Sequence, residues 1–194
     1  YDPKGKGKGV INVQHILAQI LRLKQICAAE KPDYVADLAT ELIDQSENGG
    51  KVLIFSYFKA IAYRIAQLLG DEAVCTVSRT EDDFVSMTNG MAIFRGESSQ
   101  ETKNNPDIKF IVTTEAAKEG HNLEFCDWVI FNDQFWTPAA HDQCEGRAYG
   151  RLANPHTIDV FNIIADVKIE GWMQELLNQK LVIIEEAVEG VEST

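Results

Sequence analysis

Positive charge is scarce in this sequence. Its 194 residues carry 18 Lys and Arg against 30 Asp and Glu, a net charge of −12 at pH 7. A chain this acidic is a poor candidate for holding nucleic acid through bulk charge. Any contact with phosphate must come from backbone amides and a few placed cations. Cysteine is sparse and dispersed: Cys27, Cys75, Cys126 and Cys144 form no C-x-x-C and no His/Cys ligand spacing. That argues against a zinc site or a disulfide framework and for reduced thiols. No apolar run approaches the ~18 residues of a membrane span, and no signal peptide opens the chain. The expectation is a soluble protein with no membrane partner, cytoplasmic or, in a eukaryote, nuclear. Also missing is G-x-x-x-x-G-K-[ST], the loop by which a P-loop hydrolase cradles phosphates. The "GKGKG" near the start has no strand before it and no Ser or Thr after its lysine. Asp133 is the nearest candidate for a magnesium-holding carboxylate at a strand end, but without a P-loop it has no magnesium to hold.

What is present is a core-forming chain, 45% hydrophobic, long enough for one domain. Residues 1–9, "YDPKGKGKG", have linker composition, and a chain that opens there at Tyr1 is expected to be part of a longer one; residues 10–194 read as one domain. Apolar residues at Ile11, Ile16, Leu17, Ile20, Leu21, Leu23 and Cys27 predict a helix, and a second helix runs from about Pro32 to Gln45. "KVLIFSY" is a strand buried on both faces, followed by the helix "KAIAYRIAQLLG" closed by Gly70. The alternation continues: "AVCTVS" strand, "RTEDDFVSMTNG" helix, "MAIFRG" strand, "IKFIVTT" strand, "EAAKEG" short helix or turn, "DWVIFND" strand. Last come "PAAHDQCEGRAYG" helix, "TIDVFNII" strand and a terminal helix from "KIEGWMQELLNQK". Solid apolar strands separated by helices specify an α/β fold with a parallel sheet and helices on both faces.

Ligands of such sheets bind beyond the carboxyl ends of the strands. "FSYF", "TTEAAKEGHN" and "NDQFWTP" gather there, where amides and hydroxyls can hold phosphate without net positive charge. Thr113 and Thr114 are placed for that role, or equally to cap the next short helix. His121 and His141 lack a nucleophile partner and read as structural or surface residues. Cys144 reads as packing, Trp136 as a partly buried loop anchor and Trp172 as core.

Taken together these segments resemble the second RecA-like lobe of a superfamily 2 helicase, closest to the SWI/SNF-type ATPases. "LRLKQIC" is similar to the helix that opens that lobe, "KVLIFSYFKAIAYRIAQLL" to motif IV, "TTEAAKEGHNL" to motif V. "FWTPAAHDQCEGRAYGR" resembles the W-x-P stretch running into motif VI, Q-x-x-G-R-x-x-R. The resemblance implies a RecA-like three-layer sandwich with a mostly parallel central sheet. It implies ATP and Mg2+ held mainly by a first RecA-like lobe of the same polypeptide, so that this part alone does not hydrolyse ATP. By position, Arg147 and Arg151 become the γ-phosphate contacts, Gln143 supports their loop, and Gly120 and Asn122 approach the nucleotide. Ser56, Thr113 and Thr114 approach the backbone of nucleic acid, double-stranded DNA by the SWI/SNF likeness.

Two departures stand out. The motif reads Q-x-x-G-R-A-Y-G-R, one residue longer than the family's. Counting from Gln143 puts Gly150 at the second arginine's place; aligning on "TIDVFNII" makes Gly150 an insertion and restores Arg151. After "FRGESSQETKNNPD" the family's helix is shortened. These departures keep open a degenerate lobe serving as an interaction module. Other readings are a lobe of a restriction or DEAH-type repair helicase and an unrelated doubly wound binding domain.

Overall fold

The computed structural model describes residues 13–47, 50–77, 108–115, 123, 126–149 and 157–192. Helices α1 (Val13–Ala29) and α2 (Pro32–Asp44) lead to strand β1 (Val52–Phe55). Pro32 and Asp33 open α2, where a fixed φ and a negative charge both favour a helix start. Helix α3 (Lys59–Leu69) is ended by Gly70 at φ +68°, a backbone state that L side chains rarely adopt. A single 3-10 turn leads to β2 (Ala73–Thr76), and β3 (Phe110–Thr113) and β4 (Trp128–Phe131) follow. Then come α4 (Pro138–Tyr149), β5 (Asp159–Asn162) and α5 (Lys168–Glu192).

The five strands form one sheet in the order β2-β3-β1-β4-β5. Every pairing is parallel, so the described sheet is parallel throughout rather than mostly. The register is flush: Thr76, Thr113, Phe55, Phe131 and Asn162 form one row at the carboxyl edge. Period-2 alternation divides the strand side chains between two apolar layers. Val52, Ile54, Phe110, Val112 and Ile130 pack with Val35, Ala39, Ile61 and Ile65 of α2 and α3. Leu53, Phe55, Ile111, Val129 and Phe131 pack with Ala140, Cys144 and Ala148 of α4. Helices therefore cover both faces, the three-layer arrangement expected from the strand composition.

One expectation fails on the outer helices. Trp172 is 44% exposed rather than core. Helix α5 turns Glu170 and Met173, three residues apart, inward, and the 100° step per residue swings Trp172 away from Met173. Along α1, Leu17, Leu21, Leu23 and Ile26 are exposed, while Lys24 and Ala28 are buried. The apolar stripe is thus wider than the contact it makes. The readings of "RTEDDFVSMTNG", "MAIFRG", the segment after it, most of "EAAKEG" and the 1–9 linker lie outside the described residues. No described helix is long and apolar enough to cross a membrane.

Candidate functional site

The carboxyl edge of the sheet brings the "FSYF" and "NDQFWTP" segments into direct contact. Ser56, immediately after β1 and fully buried, donates its hydroxyl to Asp133 Oδ2 at 2.7 Å. The Tyr57 amide donates to Asp133 Oδ1 at 3.0 Å, and Asn132 Nδ2 donates to Asp133 Oδ2 at 3.1 Å and to the Ala28 carbonyl at 3.2 Å. Burial pushes the Asp133 carboxyl above its usual range, while the Ser56 and Asn132 hydrogen bonds and Lys24 pull it back. Both carboxylate oxygens are thus taken by protein donors. Asp133, 1% exposed with three protein donors on its two oxygens, braces the loops that follow β1 and β4.

Above this network sits Lys24 of α1, 3% exposed. Its ammonium lies 4.6 Å from the Tyr57 ring centroid and 4.8 Å from that of Trp136, and it donates to the Gln134 carbonyl. Burial lowers its pKa to about 8, against the opposing pull of Asp133 and Glu170. The place where a doubly wound sheet takes a ligand, beyond β1 and β4, is therefore filled by the chain's own lysine, carboxylate and rings. Lys24 was not singled out from sequence. The signal was there: Ile16, Ile20, Lys24 and Ala28 form one i, i+4 row, a lysine in an otherwise apolar line.

The threonines at the end of β3 turn inward. Thr113 donates to the Thr76 carbonyl at 2.6 Å and Thr114 to the Val77 carbonyl at 3.0 Å, and both are buried. Together with Ser56 they sit on the flush carboxyl edge, as expected, but their hydroxyls brace the loops.

Helix α4 begins at this edge. Thr137 accepts the Ala140 amide at 3.3 Å, and Pro138 occupies the first helical position, a capped start with a proline where no N–H is needed. Ala140, Cys144 and Ala148, spaced i, i+4, i+8, face the sheet, and small residues there let the helix lie close. Cys144 is packing, as its context suggested. His141 stacks on Phe131 with centroids 3.9 Å apart and pairs Nε2 with Asn162 Oδ1 at 2.8 Å, a structural role. Gln143 and Arg147, also i, i+4, share an adjacent flank, about 60–100° round the helix from Cys144. Gln143 is exposed and Arg147 half-buried, in the helix's last turn, where the dipole favours a cation. Nine steps of ~1.5 Å from Pro138 carry Arg147 about 13–14 Å from the helix start, so it stands well back from the carboxyl edge. There the Leu123 amide donates to the Arg147 carbonyl at 3.1 Å, joining the end of "TTEAAKEGHNL" to "QCEGR". Gly120, Asn122, His121, Gly150 and Arg151 lie outside the described residues.

The model of the helicase conserved C-terminal domain matches residues 30–151. An uncharacterized ATP-dependent helicase of Bacillus subtilis, YqhH, is 26% identical over 96% of this chain, which spans 31% of that protein's length. Helicase SWR1 of Debaryomyces hansenii is 28% identical over 74% of this chain and 8% of its own. Among solved structures, the Sulfolobus solfataricus SWI2/SNF2 ATPase core in complex with double-stranded DNA superposes with a TM-score of 0.62 at 23% identity. That match covers 90% of this chain and 38% of that one. The chain belongs to the helicase conserved C-terminal domain family, with the RecA-like fold of SWI2/SNF2 ATPase C-terminal lobes.

Proposed function

We propose that this chain is the second motor lobe of an ATP-dependent DNA translocase, completing an ATP site whose phosphate- and magnesium-holding half lies on a first RecA-like lobe. Arg147 and Arg151 act there as guanidinium donors to the transferring phosphoryl group. Gln143 supports them, and Gly120 with Asn122 lies against the nucleotide. The strand-end loops at Ser56, Thr113 and Thr114 follow the DNA backbone, their buried hydroxyls setting the loop shape while loop amides make the approach.

The observation that carries this reading is the 3.1 Å hydrogen bond from Leu123 to Arg147. It ties the two segments for which the resemblance implies nucleotide contact, although 23 residues separate them in sequence. Gly146 lends independent support. A glycine inside a helix costs about 1 kcal/mol relative to alanine, yet among the described residues, its own helical turn aside, no atom lies within 4 Å of where its Cβ would stand. Among the described residues nothing requires it to be small; a close-fitting second surface would.

A planar, permanently charged fork suits a phosphoryl group as lysine does not, and an arginine in this position is typically worth ~10³–10⁵ in rate. In the protein carrying both lobes, Arg147→Ala is expected to lower DNA-stimulated ATP hydrolysis by at least ~10³. The isolated chain is expected to show no hydrolysis. Turnover in Arg147→Ala close to the wild-type rate would refute the assignment.

A further inference from the structure

The β4–α4 loop, residues 132–137, is the root of the arginine helix, and it is gripped by lysines from two other helices. Lys31, between α1 and α2, donates to the Asn132 carbonyl at 3.1 Å and is neutralised by Glu170 of α5 at 2.5 and 2.7 Å. Lys180 of α5 donates to the Trp136 carbonyl at 3.2 Å. Lys24 grips the middle of the loop, at Gln134. Unlike Lys31, it has no carboxylate in contact among the described residues: it is held by one carbonyl and two aromatic faces. An apolar side chain would serve packing better at such a site, because burying an ammonium without a carboxylate in contact is costly.

We propose that Lys24 is a positioning residue: it clamps the root of α4 between Tyr57 and Trp136, so that the strand-end loops and Arg147 hold one fixed relation. This rests on the reading of Arg147 given above. Because a helix is stiff over three turns, an error at its root is carried to Arg147. A misplacement of ~1 Å costs a transferring group up to ~10²-fold in rate.

The clamp titrates. The charged groups that influence the Lys24 ammonium are Asp133 at the end of β4, Glu170 on α5, Glu115 after β3 and Lys31, and the Tyr57 phenol ring lies beneath it. Below about pH 8 the ammonium keeps its charge and its attraction to both rings. Above that pH it becomes a neutral amine and the grip weakens. An arginine at the same place stacks on the same rings and does not titrate.

The test uses the protein carrying both lobes, with DNA and ATP, from pH 6.5 to 9.5. Wild type is expected to lose stimulated kcat as pH rises through about 8. Lys24→Met is expected to lower kcat at pH 7 by about ten- to a hundred-fold with KM for ATP unchanged. Lys24→Arg is expected to restore kcat and abolish the alkaline decline. Lys24→Met with wild-type kcat overturns the proposal. So does an alkaline decline that persists in Lys24→Arg, which decides the matter even if Lys24→Met fails to fold. Arg147→Ala measured alongside separates the two readings. An inactive Arg147→Ala beside a fully active Lys24→Met removes the clamp and leaves the arginine's role standing. An active Arg147→Ala removes both.

Discussion

At the residue scale, two lysines seven positions apart, Lys24 on α1 and Lys31 between α1 and α2, have opposite kinds of partner. Lys31 and Glu170 form a buried ion pair with side chains 6% and 9% exposed. Its remaining hydrogen-bonding capacity is used by the Asn132 and Ile163 carbonyls on the lysine side and the Ala165 amide on the glutamate side. Removing one partner of such a pair strands a buried charge, at about 3–5 kcal/mol. Glu170→Ala is therefore expected to lower the unfolding free energy by about that amount, read by urea denaturation. The double replacement Lys31→Met with Glu170→Leu is expected to recover most of it. A single-variant loss below ~1 kcal/mol would mean that water reaches the pair. Neither lysine's partner was legible beforehand: Lys31 and Glu170 are 139 residues apart, and only the chain's path joins them.

At the element scale, α4 shows how little local pattern marks the helix to which the proposed function assigns Arg147. Three small residues on one side and a threonine–proline start define it, and its polar flank says nothing about what it faces. Gly146 is the informative residue. In the isolated lobe, Gly146→Ala is expected to raise stability by about 0.5–1 kcal/mol through helix propensity, measured as a shift in urea midpoint. In the protein carrying both lobes the same change is expected to lower stimulated hydrolysis, because the proposed function has the other lobe close where the added methyl would stand. A variant both more stable and fully active would show that no surface approaches there. Strand and helix bounds followed the sequence to within a few residues, because continuous apolar runs and Gly70 mark them. The exposed row on α1 did not, since periodicity reports which residues are apolar and not which of them meet a neighbour.

At the scale of the whole molecule, a charge of −12 sets what the lobe does alone. Nonspecific affinity for DNA comes from cations that displace counterions, and here negative charge dominates. The isolated lobe is expected to leave a fluorescent DNA duplex unbound at micromolar protein and physiological salt, by anisotropy. Tight binding there would mean that a cationic surface outweighs the net charge, and would move the proposed DNA contacts from loop amides to lysines. The two-lobed protein is expected to bind, with an affinity that falls as salt rises.

The sequence by itself determined the α/β class, the five described strands and the helices between them, because buried parallel strands must be apolar throughout and their helices must be amphipathic. It also placed Gln143 and Arg147 on one helix flank and made Cys144 a packing residue, since both follow from the 3.6-residue repeat. Only the tertiary structure decided that Ser56 and Asp133 share a buried hydrogen bond, that Thr113 and Thr114 turn inward and that Lys24 fills the crevice beyond β1 and β4. It alone set Leu123 against Arg147. Those relations join residues distant in sequence, and they exist only once the strands lie in the order β2-β3-β1-β4-β5, a long-range arrangement that no local periodicity encodes.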